Sequence, residues 1–244
     1  MQLRYLGDSH DYLKFALLRH LQGKLDLRIG VNWYLTNPEN NGDGEQRQFL
    51  DRPEWKCLDE GLYEKLRPYL NREYRTLKNF ERDQILPENT LYYREKVRCK
   101  AERAVWHKEA ISTLSEAGLI FMDQDNGFEV ESMTDLTQAK YALYKEAFDY
   151  YRSGKIVIGI QFAGRRNLLN LANEVRTKFI QTADCSTHLS VVRGRVTPNI
   201  LFFSICPLGR VQTIEKALES FAARNPAFRD RKTRKDARRA ELIP

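Results

Sequence analysis

The chain has 244 residues, 42% hydrophobic and 30% charged. That is enough to bury a sizeable core and too charged for a fibrous or membrane-embedded protein. No apolar run approaches the roughly 20 residues a membrane helix needs, and Met1 to Asp8 contains no signal-peptide core before its first acid, so the expected setting is the cytoplasm. The formal net charge is +7, and residues 229–240 hold seven Lys/Arg against two acids, so most of the excess sits in one short stretch.

In chain order, Leu13, Ala16, Leu17 and Leu21 recur at helical spacing and predict a helix over 9–22, with Asp8 or Ser9 as N-cap and Gly23 as stop. Residues 27–35 (LRIGVNWYL) predict the first strand, and a polar loop rich in Asn, Asp and Gly follows over 36–45. Residues 46–83 are charged and helical in character, with Tyr63, Leu66, Tyr69, Leu70 and Tyr74 as an apolar stripe, and are expected as a helical insertion. Leu91 to Tyr93 predicts a short strand. A helix over 101–117 follows, with Ala104, Val105, Ala110, Ile111 and Leu114 inward.

Leu119-Ile120-Phe121-Met122 is wholly apolar, which suits a strand buried on both faces of a parallel sheet. A helix over 136–151, a strand over 155–162 and a helix over 166–181 come next. Thr187 to Arg193 and Ile200 to Ile205, joined by a turn over 194–199, predict a β-hairpin, and 210–224 a closing helix. Alternating strands and helices predict an α/β fold: a Rossmann-like, mostly parallel sheet with helices on both faces, a C-terminal hairpin and a helical insertion. Residues 1–228 are expected as one domain, and 229–244 as a basic tail that attracts polyanions without reading sequence.

The chemistry concentrates at strand ends. Asp123-Gln124-Asp125-Asn126-Gly127 sets two carboxylates and a carboxamide just beyond the apolar strand, where side chains are held rigidly and a carboxylate can take a proton or accept from an amine. An ordinary Asx turn has the same composition. Gly7, Asp8, Asp11 and Lys14 lie at spacings that align them at the start of the first helix; a glycine there lets a ligand approach the helix N-terminus, and a capped helix with an exposed ion pair is the plainer reading. Gln161, Arg165 and Arg166 follow the next strand, where the arginines could meet phosphate. Trp33 and Tyr34 could stack on a ring or simply fill the core. The four cysteines (57, 99, 185, 206) form no C-x-x-C pair and the four histidines show no ligand spacing, so no metal is expected. No P-loop or G-x-S-x-G is present.

Taken together, the segment Gly7-Asp8-x-x-Asp11-x-x-Lys14, the insertion, the strand ending in Asp123 and the final hairpin resemble the bacterial S-adenosylmethionine-dependent methyltransferases that modify adenine N6 in 23S ribosomal RNA. The chain is also similar to a bacterial and phage group sharing G-D-x-x-D-x-x-K and D-x-D-N-G. The resemblance implies S-adenosyl-L-methionine as cofactor, held by Gly7, Asp8, Asp11, Lys14, Asn32 and Tyr34. It implies a catalytic turn of Asp123, Asp125 and Asn126. Nucleic acid would contact Phe128, Gln161, Arg165, Arg166 and the tail residues Arg231, Lys232, Arg234 and Lys235. Gln124-Asp125-Asn126 stands where those enzymes carry Pro-Pro-Tyr, whose Tyr stacks on the flipped base, so Phe128 would have to supply the stacking ring. Asn41-Gly42-Asp43-Gly44 replaces a compact G-x-G cofactor loop. Two alternatives remain. One is a metal-dependent nuclease or phosphodiesterase with Asp8, Asp11, Asp123 and Asp125 around Mg²⁺ or Mn²⁺. The other is a non-catalytic nucleotide- or nucleic-acid-binding protein on the same scaffold.

Overall fold

The computed structural model of the chain describes residues 1–39, 46–183, 190–224, 228–229 and 236–243. In chain order its regular elements are α1 (Ser9–Leu25), β1 (Ile29–Asn32), α2 (Glu60–Lys65), α3 (Leu77–Arg82), β2 (Leu91–Tyr93), α4 (Arg103–Thr113), β3 (Leu119–Met122), β4 (Gly127–Phe128), β5 (Tyr141–Ala142), α5 (Tyr144–Arg152), β6 (Ile156–Phe162), α6 (Leu168–Ala183), β7 (Val191–Gly194), β8 (Ile200–Ile205), α7 (Val211–Ala223), β9 (Phe228–Arg229), β10 (Asp236–Ala237) and β11 (Ala240–Ile243).

Among the described residues the main sheet has seven strands in the order β11-β7-β8-β6-β3-β1-β2. Strands β2, β1, β3 and β6 are parallel, with Val31 opposite both Tyr92 and Phe121, and Phe121 opposite Ile158. The hairpin β7–β8 brings β8 in antiparallel beside β6. Because side chains alternate across a strand, Leu119 and Phe121 point into one core while Ile120 and Met122 point into the other. The first core lies under α1, α7 and the 46–86 region; the second lies under α4, α5 and α6. This is the expected Rossmann-like α/β fold, with helices on both faces of a mostly parallel sheet.

Several local expectations change. α1 runs through Gly23 and stops at Asp26, which is left-handed with φ 48°. The first strand ends at Asn32, because Tyr34 adopts φ 44° and turns the chain away. The insertion is built of 3-10 turns and the short helices α2 and α3; Tyr63, Leu66 and Tyr69 are buried, whereas Leu70 is exposed. In α4 the inward face is Arg103, Trp106, His107, Ala110 and Leu114, and Val105 faces outward. Arg103 tolerates burial because Glu146 of α5 pairs with it at 2.7 Å and the carbonyls of Gln138 and Tyr141 accept from it. That anchor holds 138–142 out of the expected 136–151 helix, which begins only at Tyr144. The last segment is not a free tail: β11 pairs with β7 as the edge strand, and Glu241 joins Arg193 and Arg195 in ion pairs. Of the expected hairpin strand 187–193, residues 187–189 lie outside the described set, as does the 40–45 part of the first polar loop with Asn41 to Gly44. No helix among the described residues is long and apolar enough to cross a membrane.

Candidate functional site

The site begins with α1. Asp8 is its N-cap, accepting from the backbone N–H groups of His10 and Asp11 at 2.9 Å each. Gly7 ahead of it has φ 77°, and a Cβ there would stand 2.6 Å from Cβ of Tyr69, so only glycine lets the insertion press against the helix start. Gly7 N–H donates to Asp11 Oδ2 at 3.1 Å. One turn on, Lys14 Nζ lies 3.0 Å from Asp11 Oδ1 and 2.8 Å from Asp123 Oδ1. The expected alignment of Asp8, Asp11 and Lys14 is therefore present, but buried at the carboxyl end of β3 rather than on an exposed helix face.

Burial would lower the Lys14 pKa, yet the carboxylates of Asp123, Asp11 and Asp8 outweigh it and hold the ammonium charged. Asp11 carries the opposite strain. Burial, with Asp8 and Asp123 nearby, pushes its carboxyl up to about 7 although Lys14 opposes the shift. Asp8 is also buried, but its contacts with His10 and the Lys14 charge bring it below its ordinary value.

The 123–127 turn is built from both sides. Asp123 N–H donates to the Asn32 carbonyl at 2.9 Å and Asn126 N–H to that of Lys140 at 2.8 Å. Gly127 has φ 114°, and a Cβ on it would meet the Gln161 carboxamide at 2.4 Å. That carboxamide oxygen accepts from Phe128 N–H at 2.9 Å. Asp125 accepts from Thr36 Oγ1 at 2.7 Å and pairs with the α-ammonium of Met1 at 3.0 Å, which hold it below its ordinary pKa despite burial. Asp123 is different. It is fully buried, Lys14 approaches it outside hydrogen-bond geometry, and neither carboxylate oxygen accepts a hydrogen bond among the described residues. The neighbouring Gln124 donates Nε2–H to the Ile160 carbonyl at 2.9 Å, while its Oε1 is buried and likewise without a partner there.

Asp123, Gln124, Asp125 and Asn126 line a cleft of about 610 Å³, together with Asp8, His10, Lys14, Gln46, Gln48, Phe162 and Pro198. Its position at the strand ends is where open α/β sheets take ligands, and its size suits a small-molecule site. His10 donates Nε2–H to the Pro198 carbonyl at 2.9 Å and meets the half-buried Phe162 ring edge-on at 5.4 Å between centroids.

Other expected residues lie elsewhere. Tyr34 and Asn32 are fully buried in the second core: Tyr34 hydroxyl donates to Glu146 at 2.9 Å, and Asn32 Nδ2 to the Tyr150 hydroxyl at 3.2 Å. The left-handed turn at Tyr34 carries its ring away from the cleft and edge-on to Trp106. Phe128 cannot stack on a base from its observed place, because it packs against Gly159 and stacks on Tyr144. Gln161 props the turn instead of facing solvent. Asp125 is spent on Met1 and Thr36. Arg165 and Arg166 are exposed just beyond β6, with Arg166 paired to Glu174. Arg231, Lys232, Arg234 and Lys235 lie outside the described residues.

The acids of the metal alternative already have counter-charges: Lys14 stands between Asp11 and Asp123, and Met1 pairs with Asp125. Among the described residues no three His, Cys, Asp or Glu side chains are grouped to hold a metal. Cys57 and Cys99 are free thiols. Sequence reasoning missed Gln124, His10 and Phe162. Phe162 had a usable signal, being the last residue of its strand, whereas the roles of the other two depend on partners 36 and 188 residues away. No protein-family model matches the chain, and none of the curated proteins matches it significantly.

Proposed function

We propose that the chain is an S-adenosylmethionine-dependent methyltransferase-like protein whose acceptor is a base amine of nucleic acid. The observation that carries this reading is Asp123: a buried carboxylate that accepts no hydrogen bond among the described residues and has the Lys14 ammonium 2.8 Å from Oδ1, at the carboxyl end of a central parallel strand, lining a cleft of about 610 Å³. The antiparallel strand β8 beside β6, closing an otherwise parallel run, is in keeping with the hairpin of the enzymes the sequence resembles. The acid-rich cleft fits the cofactor's sulfonium and ammonium charges, and Asp8 and Lys14 would hold its amino-acid end. When bound, the cofactor supplies an electrophilic methyl group.

The protein's own contribution is position and charge. Asp123 accepts from the incoming N–H and orients the nitrogen lone pair toward the methyl group. Lys14, 2.8 Å from its Oδ1, holds that carboxylate in place. Phe162 and Pro198 form an apolar wall for a flat ring, and the exposed Arg165 and Arg166 meet phosphate at the rim. The expected outcome is that Asp123→Asn keeps cofactor affinity within a few-fold while methyl transfer to RNA or DNA drops by about 10²-fold or more, the scale of a lost positioning or proton-accepting group. Radiolabel transfer from the cofactor checks it. The burial of Phe128, which leaves the turn without a stacking ring, favours a second reading as a binding protein without turnover. That reading requires nucleic-acid binding by the parent protein with no methylated product.

A further inference from the structure

A second cavity, of about 280 Å³, shares no lining residue with the cleft and opens between the segment that leaves the acidic turn and α6. Its walls carry charges of both signs: Glu129 and Glu131 come from the segment, Lys178 from α6. None of the three joins an ion pair among the described residues. Opposite charges therefore line one space without touching. Lys178, Gln181 and Thr182 fall at i, i+3 and i+4, so they share one face of the helix. Glu129 Oε1 accepts from Tyr144 N–H at 2.8 Å, which fixes that acid beside the Tyr144 ring. The ring itself is held on several sides. It stacks on Phe128 at 5.1 Å, meets Phe179 edge-on at 4.9 Å, and has Lys178 Nζ over it at 6.0 Å. Tyr144 lines the cavity and is only 6% exposed. Its hydroxyl keeps solvent access and has no hydrogen-bond partner among the described residues, although the polar atoms of buried side chains ordinarily find one.

We propose that this cavity is a binding site for a free α-amino acid, separate from the cleft and independent of how the cleft is read. The ligand's ammonium faces Glu129 and Glu131, and its carboxylate faces Lys178, with the hydroxyls of Tyr144 and Thr182 as further donors. A zwitterion neutralises both walls at once. A simple cation leaves Lys178 opposed to it, a simple anion meets two carboxylates, and a peptide end carries only one of the two charges. The volume, just under the roughly 300–1,000 Å³ of larger ligand pockets, suits a molecule of this size.

The test is an NMR or calorimetric titration of the full chain with methionine, leucine and glutamine at millimolar concentration. Each is compared with its methyl ester, which keeps only the ammonium, and its N-acetyl form, which keeps only the carboxylate. At least one amino acid is expected to bind saturably, and about five-fold or more tighter than either of its one-charge derivatives, the scale of a charge-assisted contact at a half-open site. Glu131→Gln and Lys178→Met should each weaken the amino acid by a similar factor, and Tyr144→Phe by a few-fold. No binding of any of the three, an ester or N-acetyl form that binds as tightly as its parent amino acid, or affinity unchanged in both Glu131→Gln and Lys178→Met overturns the proposal. The last outcome also identifies an amino acid seated in the cleft beside Asp8 and Lys14, which these two variants leave intact. If a variant does not fold, the parent's preference for the zwitterion over its one-charge derivatives decides.

Discussion

At the scale of single residues, the account turns on how one buried ammonium serves several acids. Lys14→Met leaves Asp11 and Asp123 buried without their cation, and removing one partner of a buried pair costs about 3–5 kcal/mol; a fall of that size in the unfolding free energy from chemical denaturation is expected. Asp11 gives a pH signature. Its carboxyl is raised from 3.8 to about 7 in the folded protein, so the fold binds the proton more tightly than the unfolded chain does. The Asp11 contribution is therefore fully present below about pH 4 and is lost as the pH rises toward 7. Asp11→Asn does not titrate, so its stability relative to the parent should rise between pH 4 and pH 7, as read from paired denaturation curves. A flat difference would show that Asp11 is ionised throughout. The position of Asp123 was legible from a four-residue apolar strand followed by an acid. The fate of its neighbours was not: Asp, Gln and Asn look equally free in a sequence, and only the fold shows Asp125 held by Met1 and Thr36 while Asp123 has the Lys14 ammonium beside it.

At the scale of elements, α1 reads clearly because its apolar spacing and its cap agree. Its depth does not, since burial of the first turn depends on Tyr69, which arrives from the insertion more than sixty positions later. Gly7→Ala tests that junction. It forces a side chain into a backbone at φ 77° and against Tyr69 at 2.6 Å, and a destabilisation of about 1–3 kcal/mol is expected, with faster amide exchange in the first turn of α1. Where a tertiary anchor overrides local pattern, sequence reading fails. Residues 138–142 carry helical composition, but Arg103 takes the carbonyls of Gln138 and Tyr141, and Tyr141–Ala142 pairs with Gly127–Phe128. Phe128 was misplaced for a related reason: Gly159 leaves the hollow that its ring fills, and a glycine in a strand announces a close approach without naming the visitor.

At the scale of the whole molecule, the alternation of strands and helices and the late hairpin were enough to give the sheet and its two covered faces. Basic composition hid β11, because Arg238 and Arg239 lead directly into Ala240–Ile243, where the strand completes the edge beside β7. Arg239 also lies over the Trp55 ring at 4.2 Å, tying this segment to the insertion. Truncation after Arg239 should uncover the β7 edge, lowering the melting temperature by several degrees and promoting self-association visible by light scattering. The same scale holds the functional claim, since the cleft exists only where α1, the ends of β3 and β6, the insertion and the hairpin turn converge. Calorimetric titration of the full chain with S-adenosylmethionine tests that claim most directly. Saturable binding at one site per chain, retained in Asp123→Asn and weakened in Lys14→Met, is the predicted result; absence of binding by the intact, folded protein would contradict it.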